Sequence, residues 1–206
     1  MIRRQVSKSS ADTIEKKKIL FQFILMLATA FIGGICFIKA IGADLPINIQ
    51  DKVFVNFSSI SLCGFELSCF IYNLLLLCMP YIVSAIVILA FSFSYISYVV
   101  SDIILVLNGF CAGISTALVV NLMINTNFFM AINFVVSTAI ALIILFQFAY
   151  DAALFSLDIR INSPNGRMIL SPQKLLRITV KLFVTFGTFI ILMLMRYLIS
   201  LILNTK

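Results

Sequence analysis

Five apolar stretches, each close to the length that crosses a bilayer as an α-helix, occupy most of this sequence and leave little else to fold. A helix rises ~1.5 Å per residue, so about 20 apolar residues cover a hydrocarbon core ~30 Å thick. The runs lie at about 19–41, 70–93, 98–123, 128–150 and 178–203. Lipid offers no partners to backbone N–H and C=O groups, so each run must close its hydrogen bonds within a helix. The expectation is an all-α, polytopic membrane helix bundle with five transmembrane helices. Composition agrees: 62% of the 206 residues are apolar and 11% charged, whereas a soluble domain is about a quarter charged.

The net charge of +7 is concentrated rather than spread over a surface. Segment 1–18 carries Arg3, Arg4, Lys8, Lys16, Lys17 and Lys18 against Asp12 and Glu15. Segment 151–177 is also net positive, with Arg160, Arg167, Lys174 and Arg177. Segment 42–69 is mildly acidic, with Asp44, Asp51 and Glu66 against Lys52. Cytoplasmic flanks of membrane helices collect Lys and Arg. This assigns 1–18 as a basic cytoplasmic segment, 19–203 as the membrane domain, 42–69 as an external loop and 151–177 as a cytoplasmic loop. The topology is N-in/C-out, because with four spans the two basic segments would fall on opposite sides. The electrostatic partner is the anionic inner leaflet of the bilayer, not nucleic acid.

The segment before the first run reads either as a short interfacial helix over Ser10–Lys18 or as a disordered tail, the simpler expectation. A cleaved signal peptide fits less well, because its apolar core is ~7–15 residues and this run is longer. Lys52–Phe57 has the pattern of a short strand. The links near 94–97 and 125–127 are short enough to force antiparallel hairpins. Pro80 should kink the second span or mark its first turns, and Pro172 suits the first turn of the last helix.

The chain has no histidine, so it cannot supply a His metal site, a Ser-His-Asp triad or a Cys-His pair. It has no phosphate-binding Gly-rich loop, so ATP chemistry would belong to a partner. The expectation is a protein that is not an enzyme and needs no cofactor or metal. The polar residues within spans are the informative ones. Asp102 is an acid in an apolar run, read as an interfacial solvated carboxylate or, alternatively, part of a relay. Arg196, in the last span, is expected to snorkel outward or to pair with Glu66. Gly109 and Gly113 form a small-x-x-x-small pattern, repeated by Ala30 and Gly34 in the first span. Such patterns let helix backbones approach closely, either inside one bundle or in a homo-oligomer. Asp102, Val106, Gly109 and Gly113 share one helical face, and Asn108 is placed to bond across helices. Cys63 and Cys69 share the external loop and can bridge there, whereas Cys36, Cys78 and Cys111 read as packing residues.

In two places the chain resembles the stage II sporulation protein M family of small bacterial membrane proteins. One is the apolar run Ile103-Ile104-Leu105-Val106-Leu107 entering Asn108-Gly109-Phe110-Cys111-Ala112-Gly113. The other is Ser171-Pro172-Gln173-Lys174-Leu175-Leu176-Arg177 ahead of the last apolar run. Better-known members carry a Pro-His-Gly segment near the fourth span, which this chain lacks. The resemblance implies about five spans in the bacterial plasma membrane. It also implies a role in engulfment during sporulation, as a scaffold for peptidoglycan hydrolases that act outside the cell. The alternative is a permease-like subunit of an ABC-type transporter powered by a separate ATPase, with the segment around 169–177 as its coupling element.

Overall fold

The structure, a computed structural model, describes residues 2–41, 67–94, 96–123, 128–162 and 172–204. They form five α-helices and no strand: α1 (Ile2–Ile41), α2 (Leu67–Ser92), α3 (Ser97–Met123), α4 (Phe128–Asn162) and α5 (Pro172–Asn204). The fold is a helix bundle. Four helices contain segments long and apolar enough to cross a membrane: Thr13–Ile41, Ser97–Asn121, Phe128–Ile159 and Pro172–Ser200. The remaining helix, α2, is 26 residues long, or about 39 Å, with a shorter described apolar part at Cys78–Ser92.

Side-chain pairings fix the direction of every helix. Gln22 pairs with Asp102, and Ile38 packs with Ala117 and Leu118, so α1 and α3 run parallel. The turn after α2 closes with Ser97 N donating to Ser94 O at 3.2 Å, and Asn108 Nδ2 reaches Ser84 Oγ at 2.9 Å, so α2 and α3 are antiparallel. Lys174 meets Asp158 at 2.5 Å and Lys181 meets Asp151 at 2.6 Å, while Asn133 reaches Arg196; α4 and α5 are antiparallel. Odd-numbered helices point one way and even-numbered ones the other. The chain therefore enters at one end of the bundle and leaves at the opposite end.

The central core draws on all five helices: Phe23, Ala85, Ile88, Leu105, Leu145, Phe148, Phe189 and Met193 are buried within it. Phe23 meets Phe146 edge-on and Tyr81 stacks on Phe189 at 5.3 Å between centroids. The outer faces carry Phe21, Leu25, Ile32, Ile143, Phe183, Val184 and Ile191, all exposed. An apolar exterior this continuous requires an apolar surrounding, which here is lipid.

Several helices outrun their apolar stretches. The first 18 residues continue into α1 as helix from Ile2, where a disordered tail is expected from sequence. The segment read as a cytoplasmic loop, 151–177, is helical over 151–162 and 172–177, with Pro172 opening α5. From Asp102 to Met123 α3 rises about 32 Å, enough for the hydrocarbon core. Beyond the level of Asp102, the ends of α2, α3, α4 and α5 form a collar into which the central core continues. Ala152, Ala153, Leu157, Ile159 and Ile178 are buried there, and Phe93 meets Phe155 edge-on. Ser156 Oγ also donates to Ser94 O at 2.8 Å. Sequence periodicity misses this extension because Asp151, Asp158 and Arg160 lower the local hydropathy without breaking the helix. The expected strand at 52–57 lies outside the described residues.

Candidate functional site

The sequence-predicted packing residues come together in one seam. A Cβ built on Gly109 would lie 3.4 Å from the Ala30 Cβ. A Cβ on Gly34 would strike the Phe110 carbonyl oxygen and lie 2.9 Å from Ile114 N. A Cβ on Gly113 would strike the Phe31 carbonyl oxygen. The two small-x-x-x-small patterns thus face each other within the chain, each glycine against a carbonyl of the opposite helix. That geometry suits Cα–H···O contacts, worth ~0.5–1 kcal/mol each. Both helices spell Phe-x-x-Gly at the crossing, Phe31 to Gly34 and Phe110 to Gly113, a matched signal that reading either pattern alone misses. The 3.4 Å separation is within ~0.1 Å of the Cβ–Cβ range of disulfides, so a small shift of the helices admits one. In a chain with its five native cysteines replaced, Ala30→Cys with Gly109→Cys should cross-link on mild oxidation. A gel showing only reduced monomer would rule out this register.

One end of the seam is polar. Gln22 Nε2 donates to Asp102 Oδ2. Asp102 is only 9% exposed, so the carboxylate is covered by α1 rather than solvated as expected from sequence. Its other oxygen, Oδ1, and the hydroxyls of Ser97 and Ser101 are buried and have no hydrogen-bond partner among the described residues. Gln22 is the one amide-bearing residue in the first run and, with Thr29, one of two polar residues in its first half, which marks it in sequence; its depth relative to Asp102 is visible only in the fold.

Arg196 sits toward the other end. It is 6% exposed, so it is turned into the bundle rather than snorkelling outward. Its guanidinium carbon lies 4.3 Å from the centroid of Phe134. Its backbone carbonyl accepts from Asn133 Nδ2 at 3.1 Å and from Ser200 Oγ at 2.9 Å. The Phe134 ring face, presented by α4, gives the cation an electrostatic partner inside the protein. Glu66, its other expected partner, and Cys63 lie outside the described residues, as does the Cys69 side chain. Asn108 bonds across helices as expected, to Ser84.

Asp102 and Arg196 belong to separate regions, so the structure does not bring them into one site. No group of three or more His, Cys, Asp or Glu side chains gathers as a metal site among the described residues. A groove of about 150 Å³ lined by Val120, Phe128, Ala131, Ile132, Val135 and Val136 is wholly apolar.

Family models, curated proteins and solved structures give no match to this chain. The residues themselves therefore carry the functional reading.

Proposed function

We propose that this chain is a non-enzymatic multi-pass protein of the bacterial plasma membrane that anchors partner proteins, with its N-terminus inside and its C-terminus outside. The observation that carries this reading is the collar. Spanning a bilayer requires only ~20 residues per helix. Here α4 and α5 have 35 and 33 residues, and their surplus is packed around buried Ala152, Ala153, Leu157 and Ile178. Two ion pairs, Lys174–Asp158 and Lys181–Asp151, tie its flanks together. Exposed pairs of this kind contribute little to stability, so the apolar core is what gives the collar a fixed shape. A shaped, basic platform at the inner face is suited to holding other proteins. The likeness to the stage II sporulation protein M family suggests a second set of partners at the opposite face, peptidoglycan hydrolases gathered during engulfment through the segment at 42–66.

A transport subunit is the second reading, favoured by the buried polar groups Asp102, Asn108 and Arg196. Against it, residues 172–177 are the first turns of α5 and continuous with its span, not a separate coupling helix. Affinity capture of the tagged full chain from mild-detergent membranes of sporulating cells, read by mass spectrometry, tests the choice. Enrichment of cell-wall hydrolases is the expected result. Enrichment of a nucleotide-binding ATPase without hydrolases, or of neither, would overturn the scaffold reading.

A further inference from the structure

The Asp102 carboxyl is covered on every side that the bundle offers, yet only one of its oxygens is matched. Oδ2 accepts from Gln22, while Oδ1 is buried with no donor. An ionised carboxylate in that position would hold negative charge on an oxygen that neither water nor protein solvates, which is costly in an apolar setting. A compensating cation from the protein is missing from the neighbouring described side chains. On α1, Glu15, Lys17 and Lys18 are exposed, and Lys16 is half-buried with an interaction of its own. On α2, residues 78–92 contain no Lys, Arg, Asp or Glu, Cys78 and Tyr81 being the only titratable groups there. On α3 itself Tyr98 is exposed, and on α4 the described charged side chains are Asp151 and Asp158, held by Lys181 and Lys174, with Tyr150 beside Asp151.

We infer that the Gln22–Asp102 pair is an exchangeable-proton site, in which Oδ1 carries the proton while Oδ2 accepts the Gln22 amide. A proton is the smallest cation that neutralises the carboxyl, and it needs no coordination shell. A bare alkali metal ion would need several oxygens around it, and the one amide donor at this carboxyl, the Gln22 NH₂, cannot ligate a cation. The site lies at the basic end of the bundle, one turn of α3 from the Ser94–Ser97 link, so protons reach it from that face. Loss of the proton leaves an unpaired charge between α1 and α3. Proton occupancy is therefore coupled to closure of the seam that Gly34 and Gly113 complete.

Dicyclohexylcarbodiimide tests this on the unmodified full chain. The reagent partitions into apolar regions and adds a carboxylic acid across its C=N bond. The resulting acylurea retains all atoms of both reactants and is read by peptide mass spectrometry. Asp158, with a side chain 47% exposed, is the internal reference. At neutral pH Asp102 should label at least about tenfold faster than Asp158, a difference of ~1.4 kcal/mol. Labelling should fall as pH is raised and be indifferent to sodium. Gln22→Leu should change the Asp102 rate and leave the Asp158 rate unaltered. Equal labelling of the two aspartates would overturn the inference. So would protection of Asp102 by sodium, which would assign the gap to an alkali metal ion instead.

Discussion

Replacing Gly113 with valine should unfold this protein about 10 °C below the native chain. The reasoning starts from the α1–α3 crossing, where a Cβ at position 113 would collide with the Phe31 carbonyl oxygen and approach Gly34 Cα to 3.2 Å. Neither neighbour is a side chain that can rotate away. The helices must separate, which also loosens the contacts of Ile38 with Ala117 and Leu118 further along. Overpacking a tight core costs ~1–3 kcal/mol, and a rigid backbone obstacle puts this case at about 3 kcal/mol. For a chain of this length each kcal/mol lowers the melting temperature by ~2–4 °C. Two glycines serve as controls. A Cβ on Gly187 meets nothing within 4 Å, and one on Gly33 meets only a ring carbon of Phe110 at 4.0 Å. Gly187→Ala and Gly33→Ala should be neutral, or stabilising by up to ~1 kcal/mol through helix propensity. The readout is a thiol-reactive maleimide dye in detergent, on chains that keep Cys78 alone: Cys78 is 2% exposed and becomes reactive only on unfolding, whereas Cys36 and Cys111, expected from sequence to be packing residues, are exposed on the helix surfaces and must be replaced along with Cys63 and Cys69. If Gly113→Val melts with the Gly187→Ala control, the seam is not what holds α1 in place.

The contrast among these glycines shows what sequence does and does not carry. The five helices were legible because their apolar runs are long and the bilayer admits few other structures. The small-x-x-x-small patterns were legible as packing faces, but a pattern of period four names no partner. Only the parallel register of α1 and α3 shows that Ala30 and Gly34 are the surface that Gly109 and Gly113 meet. Helix ends were less legible, because charged residues such as Asp151 and Lys174 reduce hydropathy while finding partners, Lys181 and Asp158, on the facing helix. Asp102 was legible as an unusual residue and misread as solvated. Its burial depends on Gln22, which is 80 positions away in sequence and reaches it only through tertiary packing. The snorkelling reading of Arg196 fails for the same reason: the ring of Phe134 that covers it belongs to a different helix.

Arg196→Glu should be the most damaging single substitution within the membrane region outside the glycine seam. The native side chain is 6% exposed, with its charge over the electron-rich face of Phe134 at 4.3 Å. A carboxylate there would face the same ring with the opposite sign, and repulsion would replace attraction. It would also be a buried charge without compensation, for which breaking a paired site gives a scale of ~3–5 kcal/mol. Arg196→Met separates the two contributions. It keeps an apolar stem and loses the guanidinium, so the expected cost is at least the cation–π attraction, about 2 kcal/mol in a desolvated setting. The bonds from Asn133 and Ser200 go to the backbone carbonyl of residue 196 and survive both substitutions. Helix register is therefore preserved, and the difference between variants reads the side chain alone. Melting temperatures should fall in the order native, Met, Glu. Equal melting of the native chain and the Glu variant would mean that position 196 reaches headgroups or water. That result would restore the snorkelling arginine expected from sequence and remove the guanidinium from the interior polar groups on which a transport reading depends.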